Sequence, residues 1–128
     1  MTTAIPTRTK LRRVGYAALA LVLLTSVVVA AATHGTGYWQ IVTFAVGPDL
    51  TLLAGAGQDL QRGQLHPRAV RAYNLAHRLW GPAALIVVGA AIGGQVAWLL
   101  GGLTWAFHIA LDRALGFGLR TPAGFQRD

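Results

Sequence analysis

Long runs without charge are the feature of this sequence that most restricts its fold. Residues 14–33 contain no charged side chain, and 20 apolar residues are enough for one helix to cross the hydrocarbon core of a bilayer. A second run, 35–58, carries a single charge at Asp49, and a third, 79–107, carries none. The three runs therefore predict helices that span a membrane.

The third run is too long for one crossing. Its 29 residues would form a helix of about 43 Å, well beyond an ordinary bilayer core. The break at Gly93-Gly94-Gln95 divides it, which predicts an all-α integral membrane four-helix bundle; three helices are the alternative. The predicted transmembrane domain, 14–118, lies between basic tails at 1–13 and 119–128. The four predicted helices cover about 14–33, 37–57, 69–91 and 95–116.

The distribution of basic residues predicts the orientation. The chain has eleven Lys and Arg and a net charge of +7, and these residues flank the apolar runs. The connections at 34–37 and 92–94 carry no Lys or Arg, so the positive-inside rule places both termini in the cytoplasm. The predicted partner is the lipid bilayer and not a nucleic acid, since the basic residues form no single face. Oligomerisation, a membrane-protein partner, and cleavage of the first helix as a signal peptide after 30–32 stay open.

Four ionisable residues fall inside the predicted spans, where charge is costly. Counting from the helix ends, Asp49 lies about 16 Å below the outer edge, His108 about 20 Å below it, and His77 about 13 Å from the cytoplasmic start. All three belong to the cytoplasmic half, and Asp112 shares a helix face with His108. Two imidazoles and two carboxylates suit a single divalent transition metal such as zinc, manganese or iron.

The same four residues are also compatible with different roles. Asp49 is equally able to form an ion pair with Arg78 or Arg113, and His77 to bond a backbone carbonyl or Asn74, with which it shares a helix face. A haem b held between His77 and His108 is a further alternative. The polar residues around the cluster that are candidates for phosphate binding or for support of the ligands are Asn74, Arg78, Arg113 and Arg120.

The C-terminal stretch HIALDRALGFGLRTPAGF, residues 108–125, resembles the bacterial domain-of-unknown-function family 4260. Members of that family are small integral membrane proteins without an assigned activity. Two shorter elements match as well, Pro48-Asp49 and the Tyr73-Asn74…His77 pattern, so the resemblance covers the chain from about residue 38 to its end. It implies a multi-pass protein of the bacterial inner membrane.

A more distant similarity is to predicted membrane-bound metal-dependent hydrolases, some of which are connected with phospholipid chemistry. It implies that Asp49, His77, His108 and Asp112 are metal ligands. Thr51 stands where that group usually has a second carboxylate, so the expectation is a single-metal site or a remnant site without metal. The function implied is hydrolysis of a lipid or phosphorylated amphiphile at the cytoplasmic face. The alternative is a non-catalytic membrane subunit or scaffold in which the same residues form a structural polar network.

Overall fold

The computed structural model describes residues 4–127, and this part of the chain is all-α, as predicted. It has no β-strand, only one isolated antiparallel bridge between Arg120 and Gln126. Two 3₁₀ turns, Gly47–Leu50 and Pro67–Ala69, separate some of the helices. The α-helices are α1 (Thr7–His34), α2 (Tyr38–Val46), α3 (Thr51–Ala54), α4 (Val70–Ala76), α5 (Trp80–Ala91) and α6 (Val96–Leu115).

Helix α6 is the centre of the bundle, and α1, α2 and α5 all pack against it. Leu100 and Ile109 of α6 are completely buried. Small residues on α6 let the neighbouring backbones approach closely, as is typical of helices that associate in membranes. A Cβ added at Gly102 would lie 3.1 Å from the backbone nitrogen of Ile86 on α5.

The contacts along α6 give the direction of each neighbouring helix. Arg13, near the start of α1, donates to the carbonyl of Ala114 at the end of α6, so these two helices are antiparallel. Gly89, near the end of α5, approaches Leu99 near the start of α6, so α5 is antiparallel as well.

Helix α2 runs parallel to α6. Gly37, which precedes α2, lies against Ala97 near the start of α6, while the carbonyl of Ala45, near the end of α2, accepts from His108 further along α6. The chain therefore passes up and down the bundle four times. Its first and last described residues lie at the same end.

All eleven basic residues lie at that same end. They occupy the first two turns of α1, the segment 62–78, the last turn of α6 and the C-terminal segment. The connections at the opposite end, 35–37 and 92–95, contain none. The asymmetry predicted from the sequence is thus a property of the folded bundle.

The third predicted helix, 69–91, is not continuous, because α4 ends at Ala76 and α5 begins at Trp80. The backbone N–H of His77 is shared between the carbonyls of Tyr73 and Asn74, which closes α4. In a continuous helix the N–H of residue 82 would donate to a carbonyl in the break, but Pro82 has none. A proline is instead well suited to the first turn of a new helix.

The second predicted helix, 37–57, is also interrupted. Pro48 turns the chain into the 3₁₀ segment Gly47–Leu50, and the short helix α3 then ends at Ala54. The proline removes one helical hydrogen-bond donor at this point, so the regular α-helix cannot pass through it.

One described helix, α1, is long and apolar enough to cross a membrane. It has 28 residues, most of which expose their side chains at the surface of the bundle. Helices α2 and α5 have nine and twelve residues, so neither crosses a bilayer core as an isolated α-helix.

We predict that Gly89→Ala destabilises the bundle. A Cβ at this position would meet the backbone nitrogen of Leu99 at 2.9 Å, so α5 must move away from α6. Overpacking of this kind costs about 1–3 kcal/mol. Thermal unfolding in detergent is the measurement, with Gly93→Ala as the control, since a Cβ there meets nothing within 4 Å. Equal melting temperatures for the two variants would contradict the packing described here.

Candidate metal centre

Four predicted ligands converge on one point although they come from three separate parts of the chain. Asp49 lies in the 3₁₀ turn after α2, His77 directly follows α4, and His108 and Asp112 lie one turn apart on α6. One ligand atom from each residue lies within 4.8 Å of the other three. The two imidazoles are buried, and the carboxylates are partly exposed.

The distances between these atoms are nearly uniform. The Nε2 atom of His77 lies 3.4 Å from Asp49 Oδ1 and 3.3 Å from Asp112 Oδ2. The Nε2 atom of His108 lies 3.3 Å from Asp49 Oδ1 and 3.5 Å from Asp112 Oδ2. The two Nε2 atoms are 3.3 Å apart.

Five of the six separations among the four ligand atoms, 3.3–3.5 Å, match those between neighbouring ligands of one tetrahedral ion. They are longer than ordinary N–H···O hydrogen bonds, which cluster near 2.9–3.0 Å. A tetrahedron with all six edges of this length would have its centre about 2.0–2.1 Å from each corner, the distance at which zinc binds imidazole nitrogen and carboxylate oxygen. The sixth edge, between the two carboxylate oxygens, is at most 4.8 Å. The four atoms are therefore spaced as the ligands of one small divalent ion.

Each imidazole is oriented by a backbone carbonyl behind it. His77 Nδ1 lies 2.8 Å from the carbonyl of Tyr73, and His108 Nδ1 lies 2.8 Å from the carbonyl of Ala45. A carbonyl only accepts hydrogen bonds, so Nδ1 carries the proton and Nε2 of the neutral ring presents a lone pair. Two lone pairs and two carboxylates then face each other. Such a set of acceptors is stabilised by a cation at its centre, and this carbonyl support is usual for metal-binding histidines.

Pro48 accounts for both the 3₁₀ turn and the free Ala45 carbonyl that supports His108. In a 3₁₀ turn, each backbone carbonyl accepts from the N–H three residues later. The residue three positions after Ala45 is Pro48, which has no N–H. The Ala45 carbonyl instead accepts from His108. The Thr51 hydroxyl donates to the Pro48 carbonyl at 2.7 Å, so it bonds within its own turn and not to the cluster. The hydroxyl thus does not replace a second carboxylate, in agreement with a single-metal site.

His77 is also held from α6. Arg113 donates to the His77 carbonyl at 3.0 Å, and the Trp105 indole donates to the Ala76 carbonyl at 2.7 Å. The ring of Tyr73 stacks on the His77 ring with centroids 4.0 Å apart. The sequence interpretation missed Trp105, Tyr73 and the Ala45 carbonyl as supporting groups. Of these, only Tyr73 could have been found from the sequence, because it lies four residues before His77 and so on the same helix face.

The residues predicted to bind phosphate or support the ligands do not gather at the four ligand atoms. Asn74 makes two hydrogen bonds with the backbone of Arg120, at 2.9 and 2.7 Å. The Arg120 guanidinium donates to the carbonyls of Gly63 and Gly124. Arg78 is exposed at the end of α4. Of the predicted set, only Arg113 acts on the cluster, through the backbone of His77.

Two of the alternative roles do not fit this geometry. Within residues 4–127, the carboxylates of Asp49 and Asp112 lie within 4 Å of the two histidines and make no ion pair with Arg78 or Arg113. A haem between the two histidines is excluded because the Nε2 atoms, 3.3 Å apart, leave no space for a porphyrin, and two carboxylates occupy the same point.

The cluster is open to solvent on one side. The side chain of Asp49 is 47% exposed and that of Asp112 is 20% exposed, whereas His77 and His108 are below 10%. A group approaching from the surface therefore meets Asp49 first.

The sequence profile of a family described as Domain of unknown function (DUF4260) matches residues 13–128. The match covers most of the chain, so the protein belongs to this family. Comparison with curated proteins gave no match, and comparison with solved structures gave none either.

We predict that Pro48→Ala weakens zinc binding by about 10–100-fold, the usual effect of losing a group that orients a metal ligand. Alanine supplies an N–H that competes for the backbone carbonyls of α2 and draws the turn towards α-helical geometry, which displaces both Asp49 and the support of His108. Competition with a chromophoric chelator measures the affinity. Pro122→Ala, at an exposed position on the C-terminal segment, is the control. Unchanged affinity in Pro48→Ala would refute this role of the turn.

Proposed function

We propose that this protein is a small multi-pass protein of the bacterial inner membrane that binds one divalent transition metal, most suitably zinc, through Asp49, His77, His108 and Asp112. We further propose that the metal serves the hydrolysis of a lipid or phosphorylated amphiphile at the cytoplasmic face. The observation that carries the proposal is the convergence of the four ligand atoms within 4.8 Å of one another, with both imidazoles supported by carbonyls.

The membrane location is supported by the surface of the bundle. Large apolar side chains are exposed along α1, α2 and α5, among them Leu21 at 66%, Val42 at 64% and Val87 at 65%. Soluble monomers rarely expose so much contiguous apolar surface. Together with the basic residues at one end, this surface supports four crossings with both termini in the cytoplasm.

The absence of cysteine allows a direct test of this topology. We predict that Thr36→Cys, in the connection after α1, reacts with a membrane-impermeant maleimide on intact spheroplasts. Gln61→Cys, between α3 and α4, should react only after the membrane is opened. Because neither residue is buried in the bundle, the difference reports the side of the membrane. Labelling of Gln61→Cys on intact spheroplasts would overturn the four-crossing topology.

The chemistry proposed for the site needs a water molecule and a proton acceptor. A divalent ion held here would polarise a phosphoryl or carbonyl oxygen and lower the pKa of water. Asp49 is the most exposed ligand, and a carboxylate has two oxygens, so it is placed to take the proton from the attacking water. Hydrolysis adds water across the ester bond, and the proton passes from Asp49 to the leaving alcohol.

A non-catalytic scaffold is the second candidate, and one observation favours it. Closed sets of four protein ligands are typical of structural zinc sites, whereas catalytic zinc keeps one position for water. A structural metal would fasten α2, α4 and α6 together at the cytoplasmic end. The two candidates differ in what Asp49 does, because a structural site needs all four ligands and a catalytic site needs Asp49 free to leave or exchange.

We predict about one equivalent of zinc in the purified protein by elemental analysis and its loss in His108→Ala. The matched control is His34→Ala, an exposed histidine that bonds only within α1. Asp49→Asn separates the two candidates. A hydrolase should keep some metal on its three remaining ligands but lose about 10²–10⁴-fold in the rate of phosphate or fatty-acid release from lipid substrates, the usual effect of losing a general base.

The outcomes of this experiment are distinct. No stoichiometric metal in the wild-type protein, or metal retained in His108→Ala, contradicts the metal site. Metal without hydrolysis of any phospholipid or phosphorylated amphiphile, together with a melting temperature that falls on chelation, supports the scaffold.

A further inference from the structure

A second site is formed by a groove between the outer face of α4 and the C-terminal segment. It has a volume of about 660 Å³, within the range of small-molecule sites. Four arginines line it, and no acidic residue does among the described residues. The charged members are Arg71, Arg78, Arg120 and Arg127.

Within residues 4–127, no carboxylate lies within ion-pair distance of these arginines. The aspartate contacts in this part of the chain are with the histidines of the metal cluster. Arg120 is fixed by the carbonyls of Gly63 and Gly124 and lies over the Tyr73 ring at 5.2 Å, while its buried Nε has no hydrogen-bond partner. The fixed Arg120 guanidinium therefore places a positive charge in one wall of the groove. Such a charge favours an anion with several oxygens.

The remaining lining is apolar and exposed. Leu75 and Trp80 line the groove and are 55% and 60% exposed, and Trp80 is the first residue of α5. Tryptophan is enriched at the level of lipid headgroups. The basic end of the groove therefore meets an apolar side at the position where the proposed membrane interface lies. An amphiphile with a phosphate and an acyl chain fits both parts.

The groove is separate from the metal cluster. Tyr73 and His77 form the buried side of α4, whereas Arg71, Leu75 and Arg78 are exposed. The helix therefore stands between the two sites, and an arginine in the groove does not act on the metal ligands. A molecule in the groove would instead bridge α4 and the C-terminal segment, which Asn74 already connects through the backbone of Arg120.

We propose that this arginine groove binds the headgroup of an anionic phospholipid as a non-catalytic site, with its acyl chain along Leu75 and Trp80. The bound lipid fastens the C-terminal segment to α4 at the membrane surface. The site depends on the membrane location proposed above but not on the metal or on hydrolysis.

Native mass spectrometry of the detergent-purified full chain tests this inference. Phosphatidylglycerol and phosphatidylcholine with the same acyl chains are added in turn to the wild-type protein, to Arg71→Gln/Arg78→Gln, and to Arg8→Gln/Arg62→Gln. The last variant removes the same charge at the same end of the bundle but outside the groove. We expect the wild type to retain one phosphatidylglycerol in preference to phosphatidylcholine, and the groove variant to lose about tenfold or more in retention, since charge-assisted hydrogen bonds to phosphate are the strong ones.

The accompanying measurements give decisive results as well. The four substituted arginines are exposed, and equal melting temperatures verify that the variants fold. Metal-stripped wild-type protein should retain the lipid equally, so a failure of the metal proposal leaves this one standing. Equal losses in the control variant, no preference for phosphatidylglycerol, or displacement of the lipid by millimolar inorganic phosphate would each overturn the proposal, because the groove would then be only a basic surface or a site for free phosphate.

Discussion

The mutual repulsion of four hydrogen-bond acceptors is the constraint on which the rest of the structure depends. Two Nε2 lone pairs and two carboxylate oxygens lie within 4.8 Å of one another with no donor among them when the imidazoles are neutral. Holding them there requires rigid support from outside the cluster. The chain supplies it by ending or interrupting helices, so that the Ala45 and Tyr73 carbonyls are placed behind the two rings.

The helix interruptions are consequences of this requirement and not irregularities of the fold. A continuous helix from 69 to 91 would keep His77 on a helical face, with its backbone carbonyl committed to the helix. Because α4 ends just before it, that carbonyl accepts from Arg113 instead. The turn at Pro48 likewise leaves the Ala45 carbonyl free to accept from His108. Two breaks therefore meet one unbroken helix, α6, which supplies the other two ligands.

Much of this was predictable from the sequence, for a physical reason. Ionisable residues in apolar segments are costly, so their depth along the helices indicated that Asp49, His77 and His108 would meet, and the i,i+4 spacing placed Asp112 with His108. The break after Ala76 was less evident, because no glycine or proline stands between Ala76 and Trp80. The signal was Gly81-Pro82, a pair typical of the beginning of a helix. The positions of Asn74 and Arg120 were not predictable, since they depend on the C-terminal segment folding back onto α4.

Charge balance decides which ion suits the site. Two ionised aspartates carry two negative charges, and two neutral imidazoles add none, so a divalent cation makes the centre neutral. A monovalent ion would leave a net negative charge and a trivalent ion a net positive one, and either is costly for a partly buried site. With the carboxylates neutralised by the divalent ion, the eleven basic residues are not needed as their ion-pair partners. In the proposed membrane orientation their charge stays available at the cytoplasmic surface, where anionic headgroups are its natural counter-ions.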